Sequence, residues 1–264
     1  MTVPADASGI PTLLDEQALA NLHEDFASTG DLDELAELIR RFLARGGEEV
    51  QAVAAAVDRG DLDAVRAAGH KLKGSSRTLG ASLAGAVAAK VEDAGAAGDL
   101  AAARHAQREL EVVFSLTRAV LTDAVEALGG DGPLVTPDAG DAAGGLRALL
   151  ADDEPIALAV LRAAVERLGH DCTVVTDGEA ALAAYERERP QVVITDLQMP
   201  GIDGVELARR IRAAGDAAAY VAVLSASGDS GVPALGDTVD AVLSKPFRED
   251  ELKAVLALAA QRAS

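Results

Sequence analysis

Tryptophan is absent from this 264-residue chain, and four Phe and two Tyr bring the aromatic share to only 2%. Cores built without large rings must come from Leu, Val and Ala, and a 49% hydrophobic content rich in alanine favours packed helices. A single cysteine, Cys172, excludes an intramolecular disulfide and any CxxC metal site, which fits a reducing compartment. It reads as a small core residue. Positive charge is scarce as well: 24 Lys and Arg against 43 Asp and Glu leave a net charge of −19. Both halves share the deficit, residues 1–145 carrying 12 basic and 24 acidic side chains and residues 146–264 carrying 12 and 19. No basic cluster interleaved with aromatics is present, so neither nucleic acid nor an anionic membrane is an expected partner. Uncharged runs such as Thr78 to Ala89 fall short of the ~20 residues that span a bilayer. The opening MTVPADASG lacks the basic-then-apolar pattern of a signal peptide, and a soluble cytoplasmic protein is the expectation.

The length suffices for two domains, each with its own core. After a flexible stretch over residues 1–11, apolar residues recur at helical spacing through residues 12–128. Leu19, Leu22 and Phe26 mark a short helix, and Leu32 to Val57 a long one with Asp31 as its N-cap and Gly46-Gly47 as a candidate kink. Arg59-Gly60-Asp61 ends that helix and caps a third, whose seam of Leu62, Val65, Gly69, Leu72, Ser76 and Leu79 faces a core. Two more helices, about Leu83 to Ala97 and through Leu110 to Val125, complete an all-α antiparallel bundle.

Arg66, His70, Lys73, Gly74 and Arg77 share a face of the third helix away from its seam. No carboxylate occurs between Ala64 and Lys90, which in so acidic a domain reads as an anion-tolerant surface. A neutral imidazole is a competent nucleophile toward phosphorus, and Arg66, Lys71, Lys73 and Arg77 would stabilise the charge a phosphoryl group adds to His70. Gly74 removes a side chain where a partner would approach. An isolated exposed histidine is ordinarily just a solvated one; His23 and His105 sit in amphipathic helices without a cation cluster, and His170 lies in a helix-to-strand turn. His70 differs in its setting: His70-Lys71-Leu72-Lys73-Gly74-Ser75-Ser76 followed by Leu79-Gly80-Ala81 resembles the histidine phosphotransfer (HPt) domain. That resemblance implies His70 as the phosphorylated residue, with Lys73 beside the phosphoryl group and Gly74 at the docking surface.

Residues 129–145, rich in Gly, Pro and Asp and without periodicity, read as a flexible linker. A tether of ~15 residues holds two domains at roughly millimolar effective concentration and so admits contact between them within one chain.

Over residues 146–264, apolar runs of strand length alternate with amphipathic helices, the pattern of an α/β doubly wound parallel sheet with five strands. The strand ends present Asp152-Asp153, Asp196, Ser225 and Lys245, and crowded carboxylates of this kind suit Mg²⁺. Leu149 to Pro155, Thr195 to Gly204, Leu224-Ser225-Ala226 and Ser244-Lys245-Pro246-Phe247 together resemble the response-regulator receiver domain, whose fold is flavodoxin-like. The resemblance implies Asp196 as phosphoacceptor, Mg²⁺ held by Asp153, Asp196 and the carbonyl of Gln198, and Asp152 orienting water. It also implies phosphoryl contacts from Ser225 and Lys245, and makes Lys245–Pro246 a candidate cis bond. Two departures stand out: Val242 occupies the usual aromatic switch position, and glycines and Pro233 interrupt the expected fourth helix, Ser227 to Thr238.

The expected function is therefore a phosphorelay in which a phosphoryl group moves between His70 and Asp196, of this chain or of a partner. Histidine kinases and other receivers would be the partners, and the chain itself would be a carrier without a kinase ATP-binding module. A phosphorylation-controlled binding module is the alternative. An autonomous phosphatase would want a second aspartate two residues after Asp196, where Gln198 stands.

Overall fold

The computed structural model describes residues 10–29, 31–128, 145–214, 219–226 and 238–263. The chain divides into two compact units, residues 1–138 and 139–264. The first is helical, with α1 Glu16–Thr29, α2 Leu32–Arg59, α3 Leu62–Thr78, α4 Ser82–Ala97 and α5 Leu100–Leu128. Its core is aliphatic, as the composition requires: Leu35, Ile39, Val53, Val65, Leu72 and Leu83 are among its fully buried side chains.

Gly60 ends α2 in the left-handed region at φ 68°, and Asp61 caps α3 by accepting a hydrogen bond from the Ala64 amide, both as expected. Three expectations change. α2 runs unbroken through Gly46-Gly47, because Gly46 makes room for a ring: a Cβ there would lie 2.5 Å from Phe114 of α5. Asp31 caps α2 without its side chain; its carbonyl accepts from the Glu34 and Leu35 amides. The unit also starts before residue 12, since Ile10 is 1% exposed and the Asp15 amide donates to the Gly80 carbonyl at 2.7 Å.

α3 and α4 form a tight antiparallel hairpin. A Cβ on Gly69 would meet the Glu92 backbone nitrogen at 2.8 Å, and one on Gly95 would meet the Arg66 nitrogen at 2.7 Å. Gly69 and Glu92, Arg66 and Gly95, and Ser76 and Gly85 are each equidistant from the Gly80–Ala81 peptide bond. The turn thus sets which residues face each other.

The second unit is a parallel sheet in the order β2-β1-β3-β4-β5, with β1 Arg147–Ala151, β2 Asp171–Val175, β3 Val192–Asp196, β4 Tyr220–Ala226 and β5 Ala241–Lys245. Around it lie α6 Pro155–Arg167, α7 Gly178–Glu188, α8 Gly204–Ala213 and α9 Glu249–Ala263. Leu149, Val193 and Val221 pack with Tyr185 of α7 and Leu207 and Ile211 of α8. The alternate strand residues Leu150, Ile194 and Ala222 are equally buried, so both sheet faces are covered. Every residue of central β3 is buried, the apolar run Val192-Val193-Ile194 together with Thr195 and Asp196.

The linker over residues 129–145 lies outside the described residues except for Gly145, where a Cβ would come 2.6 Å from the Gly169 carbonyl oxygen. The glycine-interrupted segment from Ser227 also lies outside them as far as residue 237. Val242 is on edge strand β5, 39% exposed. Cys172 is half-buried rather than a full core residue, and burial pushes its thiol up to about 12.

Candidate functional sites

His70 lies on α3 with its side chain 70% exposed. Its Nδ1 is 2.9 Å from Oε1 of Glu92, and the other oxygen of that carboxylate accepts from the Lys73 ammonium. An ionised carboxylate only accepts, so in the neutral imidazole the proton sits on Nδ1 and the lone pair is left on Nε2. The Lys73 hydrogen bond, then that of His70, holds the Glu92 carboxyl below its ordinary range and keeps it an acceptor. The arrangement is a three-member chain in which Glu92 orients the ring and Lys73 keeps a positive charge beside it.

Glu92 corrects the reading of the surface as free of carboxylates. The gap from Ala64 to Lys90 is real in the sequence, but α4 returns antiparallel and delivers the next carboxylate to His70. Lys71 is also reassigned: it turns toward α2, its ammonium 3.5 Å from Glu49. Arg66 and Arg77 are exposed on α3, one turn before and two turns after His70. Gly74 is open, with nothing within 4 Å of where a Cβ would stand.

In the second unit the strand ends converge as expected. Asp152, Asp153 and Asp196 each offer an oxygen, and these oxygens lie within 4.8 Å of one another. The Lys245 ammonium bridges two of them, 2.7 Å from Oδ2 of Asp152 and 2.8 Å from Oδ2 of Asp196. Burial raises the Asp152 carboxyl above its ordinary value despite the opposing pull of Lys245. For Lys245 itself burial is the largest influence and acts downward, but Asp152 and Asp196 outweigh it and hold the ammonium above its ordinary value.

Ser225, 5% exposed, follows Leu224, the β4 residue registered with Asp196. Gln198 is exposed in the loop after β3, and the Lys245–Pro246 bond is cis. That loop is tightly closed: the Gly204 amide donates to the Leu197 carbonyl at 3.2 Å, and a Cβ on Gly204 would overlap the Asp196 carbonyl oxygen.

Three carboxylates with one ammonium bridging two of them still carry excess negative charge, and oxygen-only donors suit a hard divalent cation. Asp152, Asp153 and Asp196 therefore fit Mg²⁺. Among the described residues this is the one grouping of three or more His, Cys, Asp or Glu side chains arranged for a metal. His170 serves the fold instead: its Nδ1 accepts from the Leu146 amide at 3.1 Å, and burial lowers its pKa.

Residues 37–130 match the Hpt domain family and residues 148–257 match the response regulator receiver domain family. The chain carries an Hpt domain followed by a receiver domain. It is 40% identical over 127 residues to the virulence sensor protein BvgS of Bordetella bronchiseptica, a match covering 45% of this chain and 10% of BvgS. It is 33% identical over 115 residues to the transcriptional regulatory protein TrcR of Mycobacterium tuberculosis, covering 42% of this chain and 44% of TrcR. The chain thus spans less than half the length of either relative. Among solved structures, histidine-containing phosphotransfer protein B of Pseudomonas aeruginosa matches at 27% identity and a TM-score of 0.40, over 43% of this chain and 95% of that one. Among the described residues no helix is long and apolar enough to cross a membrane.

Proposed function

We propose that the chain is a phosphorelay protein that carries a phosphoryl group on Nε2 of His70 and exchanges it with Asp196. The observation that carries this reading is the 2.9 Å contact between Nδ1 of an exposed histidine and a Glu92 carboxylate oxygen; with Nδ1 as the donor, the lone pair of the nucleophile is on Nε2. The Asp196 site complements it as an acceptor. In the transfer a carboxylate oxygen of Asp196 attacks phosphorus in line, the P–N bond to Nε2 breaks, and the imidazole keeps the electron pair. Lys245, already on Oδ2 of Asp196, offsets the charge that gathers on the transferring group. Asp152, Asp153 and Asp196 would hold Mg²⁺, which when bound screens the repulsion between a phosphoryl group and the carboxylates. Ser225, at the adjoining strand end, donates to a phosphoryl oxygen, and the product is an acyl phosphate.

A histidine kinase supplies the phosphoryl group, and other receivers compete with the chain's own Asp196 for it. The test is the full chain radiolabelled on His70 and followed with and without Mg²⁺. Label is expected to pass from acid-labile phosphohistidine to a base-labile acyl phosphate only with Mg²⁺. His70→Gln should abolish labelling, and Asp196→Asn should retain it on histidine. Label that stays on His70 until a foreign receiver is added would refute transfer within one chain, and loss of histidine labelling in Asp196→Asn would refute separate roles.

A further inference from the structure

The sequence gives Gly69 no evident task beyond a place on the α3 seam, yet it is the residue before His70 and touches the backbone that carries Glu92. A Cβ at Gly69 would stand 2.8 Å from the Glu92 backbone nitrogen, 3.0 Å from the Ala88 carbonyl oxygen and 3.1 Å from the Val91 side chain. Ala88 and Glu92 are four apart on α4, so their C=O and N–H belong to a single helical hydrogen bond. Neither atom is the far end of a flexible side chain, so a methyl group there must move the α4 backbone. The Glu92 carboxylate would move with it. Its hydrogen bond to Nδ1 is 2.9 Å long and is made by a side chain only 20% exposed, while the His70 ring is 70% exposed. The ring is otherwise turned to solvent, so the approach of α4 decides which nitrogen carries the proton.

We infer that Gly69 is a positioning residue for His70: by letting the Glu92 backbone close against α3, it sets the carboxylate on Nδ1 and keeps the lone pair on Nε2. The inference deepens the phosphotransfer reading of His70 and rests on it only for its consequence in rate. Its structural content, the tautomer of one ring, can be read without any phosphoryl group.

The experiment is nitrogen-15 NMR of the His70 imidazole in the full chain at neutral pH, paired with the rate of label transfer from His70. The unsubstituted chain is expected to show the Nδ1–H form. Gly69→Ala should shift the ring toward the tautomer mixture of an unrestrained imidazole and slow transfer on the order of tenfold. Glu92→Asp withdraws the carboxylate by one methylene without touching the helix contact, and should reproduce both changes. A folded Gly69→Ala that keeps the Nδ1–H form would overturn the inference. If Gly69→Ala does not fold, Glu92→Asp decides, and an unchanged tautomer there overturns it equally. A shifted tautomer with an unchanged rate would uphold Gly69 as the residue that positions Glu92 while counting against the phosphotransfer reading of that network.

Discussion

The two sites meet opposite electrostatic problems. At His70 a ring 70% exposed is given one carboxylate and one ammonium, and the outer nitrogen is left to solvent. At Asp196 two carboxylates with 1% and 12% side-chain exposure crowd a third, and one ammonium joins them. In the first the protein adds a weak directional restraint to a group that is already reactive. In the second it holds mutually repelling charges together, and in the proposed chemistry an arriving phosphoryl group meets that charge balance. Removing a partner should accordingly cost specificity at His70 and stability at Asp196.

The largest effect is expected from Lys245→Ala. It strips the ammonium from Asp152 and Asp196 and leaves a buried like-charge pair, and breaking a buried ion pair from one side costs about 3 kcal/mol or more. Urea unfolding of the receiver unit followed by circular dichroism should show that loss in chelator, and added Mg²⁺ should recover part of it by supplying a replacement cation. Full stability in chelator would break the contrast between the sites.

Glu92→Gln should do the reverse. Its ion pairs are at the surface, where such pairs contribute about 1 kcal/mol or less, so unfolding is nearly unchanged while transfer from His70 slows on the order of tenfold. The pH dependence sharpens this. Lys73 and then His70 hold the Glu92 carboxyl below its ordinary value of 4.5, so its small contribution is present above that value and is lost as pH falls through the lowered one. Comparing the unsubstituted chain and Glu92→Gln should show a small, constant stability difference above that ordinary value that vanishes as pH falls through the lowered one.

The same contrast explains what could be read in the sequence. The convergence of Asp152, Asp153, Asp196 and Lys245 could be read because these residues lie at or next to strand ends, and in a parallel sheet those ends meet whatever the rest of the chain does. The helical elements were legible from their spacing. Glu92 was not, because its role depends on which residues of α3 and α4 face each other across a hairpin. The signal was present: Gly69 and Glu92 are equidistant from the Gly80–Ala81 turn, and glycines at 69 and 95 mark where the two backbones close. Lys71 was misread for the related reason that one residue along a helix turns a side chain by ~100°, enough to hand it to α2 and Glu49. Gly46 looked like a breaker because the Phe114 ring that needs its space lies on another helix, 68 residues away in the sequence.

The smallest effect concerns His170, one of the histidines the proposed chemistry leaves unused, and it tests whether an imidazole hydrogen bond of the opposite sense behaves oppositely. At His70 the ring nitrogen donates to a carboxylate; at His170 Nδ1 accepts from the Leu146 amide at 3.1 Å, which only a neutral ring nitrogen can do. Burial lowers the His170 pKa below its ordinary 6.5, outweighing the upward pull of Asp171. The folded state then binds the proton less readily than the unfolded one, so the stabilisation is complete above 6.5 and declines as pH falls below it toward the lowered value. Leu146 opens the receiver unit just before β1, and its carbonyl also accepts from the Asp171 amide at 3.0 Å, so protonation of His170 loosens one of two ties at that entry. An NMR titration should show the His170 ring and the Leu146 amide shifting together below 6.5, and His170→Gln should remove the coupled step. A Leu146 amide that ignores the titration would mean that the Asp171 bond alone holds the strand's entry.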